Sequence, residues 1–417
     1  MNHGGNVWQG ERPSDWLDYS ATLRPEGAPR WVRDALTAGM ANVRYYPDPT
    51  MRRARRALAE YLGLDAAQVL PTAGGISAID LTAQLPASGA LLATPCFGEY
   101  GMLCVRHGLR VKKASLLRVA HEIGAAGRGA FTPPHTSLLR EKHEIDAAGQ
   151  GAFTPPHTSL LREKHEIDAA GRSAFTPPHT SLLGTPHEIG DPAIQLKDAL
   201  FEGALVYLCN PLNPVGAAFT RDQVENLLHE AEGVNGHLVV DEAFIEYCPR
   251  HSVVDLIAHH PRLLVTGSMT KILGVPGVRL GYLCGQKEVI DQLSGRQITW
   301  ELSCFAEAVA CALPEHRGDI LADGETNARR REQLRAGLAG LGVYVYPSEA
   351  AFVLADFARP VAPLVKFLKE KHILVRECMN FDGLDDGRHL RLAVKDEASN
   401  ERLIEALREA MVCAENL

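Results

Sequence analysis

Four short runs of apolar residues set the rhythm of the first two thirds of this chain. They are Ala90-Leu-Leu-Ala-Thr, Ala204-Leu-Val-Tyr-Leu-Cys, His237-Leu-Val-Val-Asp and the run that ends at Val265-Thr-Gly-Ser268. Runs this short that stay apolar, and that stop at a polar or turn residue, predict buried strands of an open α/β sheet. A further strand is expected at 111–117. Between them, a basic helix is expected at 51–62, and the stretch 68–80 reads as a turn feeding a helix.

Beyond position 297 the pattern changes. Residues 297–310 lead into a helix, and a charged helix is expected at about 325–341. Val343-Tyr-Val-Tyr, Ala351-Phe-Val-Leu-Ala-Asp, the stretch 372–383 and Arg388-His-Leu-Arg-Leu-Ala-Val394 predict strands of a smaller antiparallel sheet. A last helix is expected at 399–412. The expected organisation is an N-terminal arm at 1–40, a large α/β domain at 41–296 and a smaller α+β domain at 297–417.

One region breaks this order. His-Glu-Ile begins near-identical units at His121, His143 and His165, and Phe-Thr-Pro-Pro-His-Thr-Ser-Leu-Leu follows at Phe131, Phe153 and Phe175, a spacing of 22 residues. Each unit offers few apolar residues around a Pro-Pro breaker, too little for a stacking solenoid. Residues 121–186 therefore read as a mostly disordered surface insertion in an otherwise ordinary domain. Nothing fixes the geometry of its histidines, so no metal is expected there.

Composition narrows the class. The 417 residues carry a net charge of -8, spread along the chain, which argues against nucleic acid as the main partner. Nine cysteines are scattered without a Cys-x-x-Cys pair, so a reducing cytoplasm fits better than a disulfide or zinc framework. The opening Met-Asn-His-Gly-Gly-Asn lacks a secretory pattern, and no apolar run is long enough to span a membrane.

The candidate chemistry clusters after the apolar runs. Lys271 follows Ser268-Met-Thr270 and precedes a Gly/Pro-rich turn that carries Arg279. Lysine is a candidate amine nucleophile toward a carbonyl, and Ser, Thr and Arg beside it suit a phosphate; a solvated loop lysine is the plainer alternative. Asn210-Pro-Leu-Asn213-Pro forms a turn that aims two amides, and Asp241 ends a strand. In open α/β sheets the ligand crevice lies at the carboxyl ends of strands, where these residues are expected to meet.

Taken together, these three motifs, in this order and spacing, resemble the fold-type I pyridoxal-phosphate enzymes of the class I/II aminotransferase group. The resemblance implies an aspartate aminotransferase-like fold, with a large, mostly parallel sheet flanked by helices. It assigns Lys271 to covalent attachment of pyridoxal 5′-phosphate, Asp241 to the ring nitrogen, Asn213 to the phenolic oxygen and Phe97 to the ring face. Ser268, Arg279 and the backbone at Gly74, Gly75 and Ile76 would hold the phosphate, with Tyr46 reaching across from the other subunit of a homodimer. The loop at 73–77 departs from the group's usual Gly-Asn-Gly-Ala-Ser, so only backbone roles carry over there.

His3-Gly-Gly-Asn followed by Asp18-Tyr-Ser-Ala-Thr resembles the opening of the threonine-phosphate decarboxylases of cobalamin synthesis, a branch of the same group. Thr22 stands where that pattern usually has Asn. Phe244, in Asp-Glu-Ala-Phe, replaces the tyrosine usual in the aminotransferases and points the same way. Arg376, Arg391 and His3 are implied to read a small phosphorylated amino acid, with either arginine free to take either anion. The expected activity is decarboxylation of L-threonine O-3-phosphate. The alternatives are a histidinol-phosphate type aminotransferase, or a non-catalytic relative acting through its repeats.

Overall fold

The computed structural model describes residues 4–9, 12–119 and 187–415. His3 and the repeats at 121–186 lie outside them. The described residues belong to one compact unit.

In chain order the strands are β1 (Leu17–Asp18), β2 (Val69–Thr72), β3 (Gly89–Thr94), β4 (Val111–Ser115), β5 (Leu117–Val119), β6 (His187–Ile189), β7 (Ala204–Cys209), β8 (His237–Asp241), β9 (Leu263–Ser268), β10 (Gly281–Cys284), β11 (Tyr344–Val345), β12 (Phe352–Asp356), β13 (Ile373–Leu374), β14 (Arg376–Glu377) and β15 (His389–Ala393). The helices are α1 (Arg30–Gly39), α2 (Arg52–Leu62), α3 (Gly75–Thr82), α4 (Glu99–Arg106), α5 (Pro192–Leu196), α6 (Arg221–Gly233), α7 (Lys287–Ser294), α8 (Cys304–Ala312), α9 (Arg317–Ala339), α10 (Ala362–Glu370) and α11 (Glu397–Glu415).

Seven strands form the main sheet in the order β2-β10-β9-β8-β7-β3-β4. Pairing is parallel throughout except at β10, which runs antiparallel to both β2 and β9. Its central strands are apolar because both faces are covered: β3, β7 and β9 are buried at every residue. The connecting helices supply the cover. In α6, Val224, Leu227, Leu228 and Ala231 form the inward stripe, and Thr220 and Gln223 close its N-terminus as a reciprocal cap.

A second sheet, β11-β12-β15-β14, is antiparallel and has its own apolar cluster with α9, α10 and α11, including Leu334, Leu364, Leu392 and Leu407. Tyr19, from the N-terminal segment, is fully buried in that cluster. Two expectations change here. The stretch 372–383 is not one strand: β13 pairs in parallel with β1, whereas β14 joins the small sheet. The strand expected at 111–117 divides likewise, with β4 at the edge of the main sheet and β5 paired to β6 in a separate two-stranded ribbon. In both cases a pairing partner distant in sequence divides a run that is locally continuous.

Candidate active site

Strands β7, β8 and β9 run parallel, so their carboxyl ends open on one side of the sheet. A cavity of about 720 Å³ lies there, lined among others by Asn213, Asp241, Lys271, Arg376 and Arg391. Gly75, Ile76, Phe97 and Phe244 also face it. The Asn-Pro turn after β7 sends only one of its two amides inward. Asn210 is spent on structure, accepting from the Phe219 amide at 2.9 Å and donating to the Phe219 carbonyl at 3.2 Å. Asn213 accepts from Arg391 Nη1 at 2.7 Å, which commits its carbonyl oxygen and leaves its NH₂ as the free end of the amide.

Asp241 ends β8 and is buried. Its Oδ2 accepts from the Tyr100 hydroxyl at 2.5 Å, and its Oδ1 accepts from Thr266 Oγ1 and the Ala243 amide, each at 3.2 Å. Burial pushes its carboxyl up, against the pull of Tyr100 and of the Lys271 charge. The next residue, Glu242, points the other way: its carboxylate holds Ser252 Oγ at 2.8 Å and the Val253 amide at 2.7 Å. Period-two alternation at the strand end thus gives Asp241 to the cavity and Glu242 to the scaffold.

Lys271 sits just past β9. Its Nζ donates to Ser268 Oγ at 3.3 Å and lies 5.7 Å from the centroid of the Phe244 ring. Burial pulls its ammonium below the usual lysine range, partly offset by Asp241. A lysine so placed is more readily a free amine. Ser268 also shares a 2.9 Å hydrogen bond with Thr270.

Beside them, α3 begins at Gly75. Gly74, its N-cap, has φ +84°, and a Cβ there would come 2.7 Å from Arg279 Nη2. A Cβ on Gly75 would lie 3.3 Å from that of Ser268. The missing side chains bring a helix N-terminus, a hydroxyl and a guanidinium to one spot, which suits an anion. Arg279 is itself left-handed, at φ +61°. Such a conformation in a non-glycine residue costs about 1–3 kcal/mol and persists where packing fixes it.

The two remaining arginines are cross-strand partners. Arg376 on β14 pairs in register with Arg391 on β15, and both are 8% exposed. Arg391 also donates to the Ser20 carbonyl at 2.8 Å and lies over the Phe352 ring at 5.2 Å, while its buried Nε has no partner. Burial brings its guanidinium down to about 10. Arg376 donates to Asn380 Oδ1 at 2.7 Å and lies over the Phe381 ring. Although β14 is an edge strand, Arg376 is buried and lines the cavity.

Gly4, Gly5, Val7 and Trp8 cross the cavity, held where the Gly5 amide donates to Ser20 Oγ at 2.7 Å. His3 is outside the described residues. Tyr46 is apart from the cavity, 82% exposed and stacked on Trp300 at 4.8 Å, beside a groove bearing Arg52, Arg53 and Arg56. Sequence reasoning missed Tyr100, Thr266, Ser20 and Asn380. Ser20 and Thr266 lie inside segments singled out above, in Asp18-Tyr-Ser-Ala-Thr and Val265-Thr-Gly-Ser268, and Tyr100 closes the Phe97-Gly-Glu-Tyr turn, so these three had a positional signal.

The profile of the family described as aminotransferase class I and II matches residues 192–407, just over half of the chain. The threonine-phosphate decarboxylase of Salmonella typhimurium is 26% identical over 423 aligned residues, spanning 98% of this chain and 96% of that protein. Histidinol-phosphate aminotransferase 1 of Bradyrhizobium diazoefficiens is 34% identical, but over 220 residues, 52% of this chain and 61% of its own. The histidinol-phosphate aminotransferase of Sinorhizobium meliloti, solved in complex with pyridoxal-5′-phosphate, has the same fold at a TM-score of 0.70. Its identity is 18%, with 94% of this chain and 90% of that chain covered.

Proposed function

The chain belongs to the class I and II aminotransferase family, whose members use pyridoxal 5′-phosphate, and we propose that it decarboxylates L-threonine O-3-phosphate to (R)-1-aminopropan-2-ol O-2-phosphate for cobalamin biosynthesis. The observation that carries this reading is the cross-strand pair Arg376 and Arg391. Like charges directly opposite one another are destabilising. Among the described residues their hydrogen bonds go to neutral groups, Arg376 to Asn380 and Arg391 to Asn213 and the Ser20 carbonyl, so the cavity holds two buried cations in wait of anions. A small molecule bearing both a carboxylate and a phosphate answers that demand.

The donor set fits the cofactor. A cradle that any Cβ at Gly74 would fill, a buried carboxylate and a buried amine support it. Ser268, Arg279 and the backbone amides at Gly75 and Ile76 would hold the phosphate, Asp241 the ring nitrogen, Asn213 Nδ2 the phenolic oxygen and Phe97 the ring face. Lys271 would form the covalent link. When bound, pyridoxal 5′-phosphate supplies a cationic ring able to accept the electron pair of a breaking Cα bond.

The protein decides which bond breaks. Arg391 is fixed by Asn213 and Ser20, and Arg376 by Asn380, so two anions gripped at once leave the substrate little rotation about Cα. Tyr100 and Thr266 keep Asp241 oriented and favour its ionised form against burial. Lys271 would also be able to hold or return a proton at Cα. Gly4, Gly5 and Trp8 of the N-terminal segment line the cavity. Phe244 packs edge-on against Phe352 at 5.1 Å and offers no hydroxyl toward the cofactor, unlike the tyrosine of the aminotransferase pattern.

The match over nearly the full chain to a decarboxylase also supports the reading, while the higher identity to histidinol-phosphate aminotransferases over half of it keeps transamination as the second reading. One experiment separates them. Threonine phosphate added to purified enzyme should release carbon dioxide with no 2-oxo acid present; a reaction that halts after one turnover until a 2-oxo acid is added would mean transamination.

We further take the enzyme to be a cytoplasmic homodimer in which Tyr46 reaches the partner's site. The exposed Tyr45, Tyr46, Ile298 and Trp300 support an interface, and nine free cysteines support a reducing compartment. No helix among the described residues is long and apolar enough to cross a membrane. We keep the division into an arm at 1–40, a large domain at 41–296 and a small domain at 297–417. The second apolar cluster, with Leu334, Leu364, Leu392 and Leu407, supports a separate small domain, although Leu302, Ala306, Val309 and Leu313 of α8 and its flanks pack in the first cluster.

A further inference from the structure

We propose a divalent-cation site, suited to Zn²⁺, formed by Glu225, His229 and His260 at the edge of the main sheet opposite the catalytic cavity. One potential ligand atom from each of the three lies within 4.8 Å of the others. Glu225 and His229 are four residues apart on α6 and so project from one face of the helix. His260 comes from the turn that enters β9, with its Nε2 3.8 Å from Glu225 Oε1.

Three features distinguish this from a chance grouping. First, the His260 side chain is only 12% exposed, so its ring is held rather than mobile. Second, its other nitrogen, Nδ1, lies 3.3 Å from Glu232 Oε1. A carboxylate behind the far nitrogen of a histidine fixes the tautomer that leaves Nε2 as a metal-ligating lone pair. Third, the His229 and His260 rings approach to 5.4 Å between centroids, close enough for both to reach one ion. Two imidazoles and one carboxylate, with the fourth position open to water, suit Zn²⁺. Tetrahedral zinc bonds imply ligand atoms about 3.4 Å apart. The three side chains therefore need small rotations only.

Topology sets the role. Helix α6 runs back from the carboxyl end of β7 to the start of β8, so its last turns lie at the amino ends of the strands. His260 precedes β9 at that same edge. Asp241 ends β8 and Lys271 follows β9 at the opposite edge. An ion here would tie α6 to the loop before β9 and stabilise the large sheet without touching the reaction. The site is therefore independent of which reaction the enzyme performs.

The test uses full-length protein with its cofactor, titrated calorimetrically with ZnCl₂ alone. The repeats bring their own histidines, so the readout is the difference between variants. His260→Ala and Glu225→Gln should each remove one equivalent of bound zinc or weaken it at least tenfold, and Glu232→Gln should weaken it less. Zinc should raise the melting temperature of the native protein and not of His260→Ala, with turnover unchanged in both. Should His260→Ala fold poorly, crystals of native protein soaked in ZnCl₂ decide the matter by anomalous scattering. A peak among Glu225, His229 and His260 upholds the site. Equal zinc binding by native and Glu225→Gln protein, or a soaked crystal with no peak there, overturns it.

Discussion

The Tyr100 hydroxyl donates to Asp241 Oδ2 at 2.5 Å across 141 residues of chain. Tyr100 sits in the first turn of α4, and its ring stacks on Tyr207 at 5.4 Å, so it cannot swing away from the carboxylate. A hydrogen bond to a charged group contributes about 1.5–3 kcal/mol, enough to matter where burial works against ionisation. Tyr100→Phe should therefore lower kcat at least tenfold and weaken cofactor affinity while leaving the fold intact. Steady-state kinetics and cofactor titration check this. Unchanged values for both would show that Asp241 needs no such support.

Lys271 is the amine on which the proposal rests. Purified Lys271→Ala should lack the visible absorption band of covalently bound cofactor and should lose about 10³-fold or more in turnover, the scale of a missing acid-base group. Retention of the band would remove Lys271 from its assigned role.

Gly74 should not tolerate a side chain. Its φ of +84° disfavours any other residue, and an added Cβ would push Arg279 away from the end of α3. Gly74→Ala should raise the dissociation constant for pyridoxal phosphate about tenfold, with a smaller effect on kcat at saturating cofactor. Equilibrium dialysis gives the answer.

The two arginines can be told apart by substrate. Arg376→Gln and Arg391→Gln should each reduce kcat/KM for threonine phosphate by about 10–100-fold, the loss of one charge-assisted contact. Repeating the assay with threonine identifies the phosphate reader, since its loss should shrink when the phosphate is absent. If neither variant responds, the anion reading of the cavity fails.

Glu246 makes stability depend on pH. Burial raises its carboxyl from 4.5 to about 8, and its Oε2 is buried without a partner. The folded state thus binds a proton that the unfolded chain has already released. The stabilisation is complete below pH 4.5 and is lost as pH rises through about 8. The melting temperature should fall across this window, and Glu246→Gln should flatten the decline. Glu242, raised to about 7 for the same reason, keeps part of the slope in that variant. A slope unaltered by the substitution would show that Glu246 is ionised in the folded protein.

How much of this was legible beforehand differs by residue. Asp241, Asn213, Ser268 and Lys271 end or follow strands in short, recognisable segments, and strand ends in a parallel sheet point to one crevice. The chain itself therefore determined the large sheet, the amine and its carboxylate. Arg376 and Arg391 could be named from their segments, but their placement as direct cross-strand neighbours is a matter of register, which local pattern does not encode. Tyr100 at Asp241, Asn210 turned to the scaffold, and His260 brought beside Glu225 and His229 depend on contacts between distant segments. Only the tertiary structure decided these, because a side chain's partner is chosen by packing between elements, whereas apolar periodicity and turn chemistry report on one element at a time.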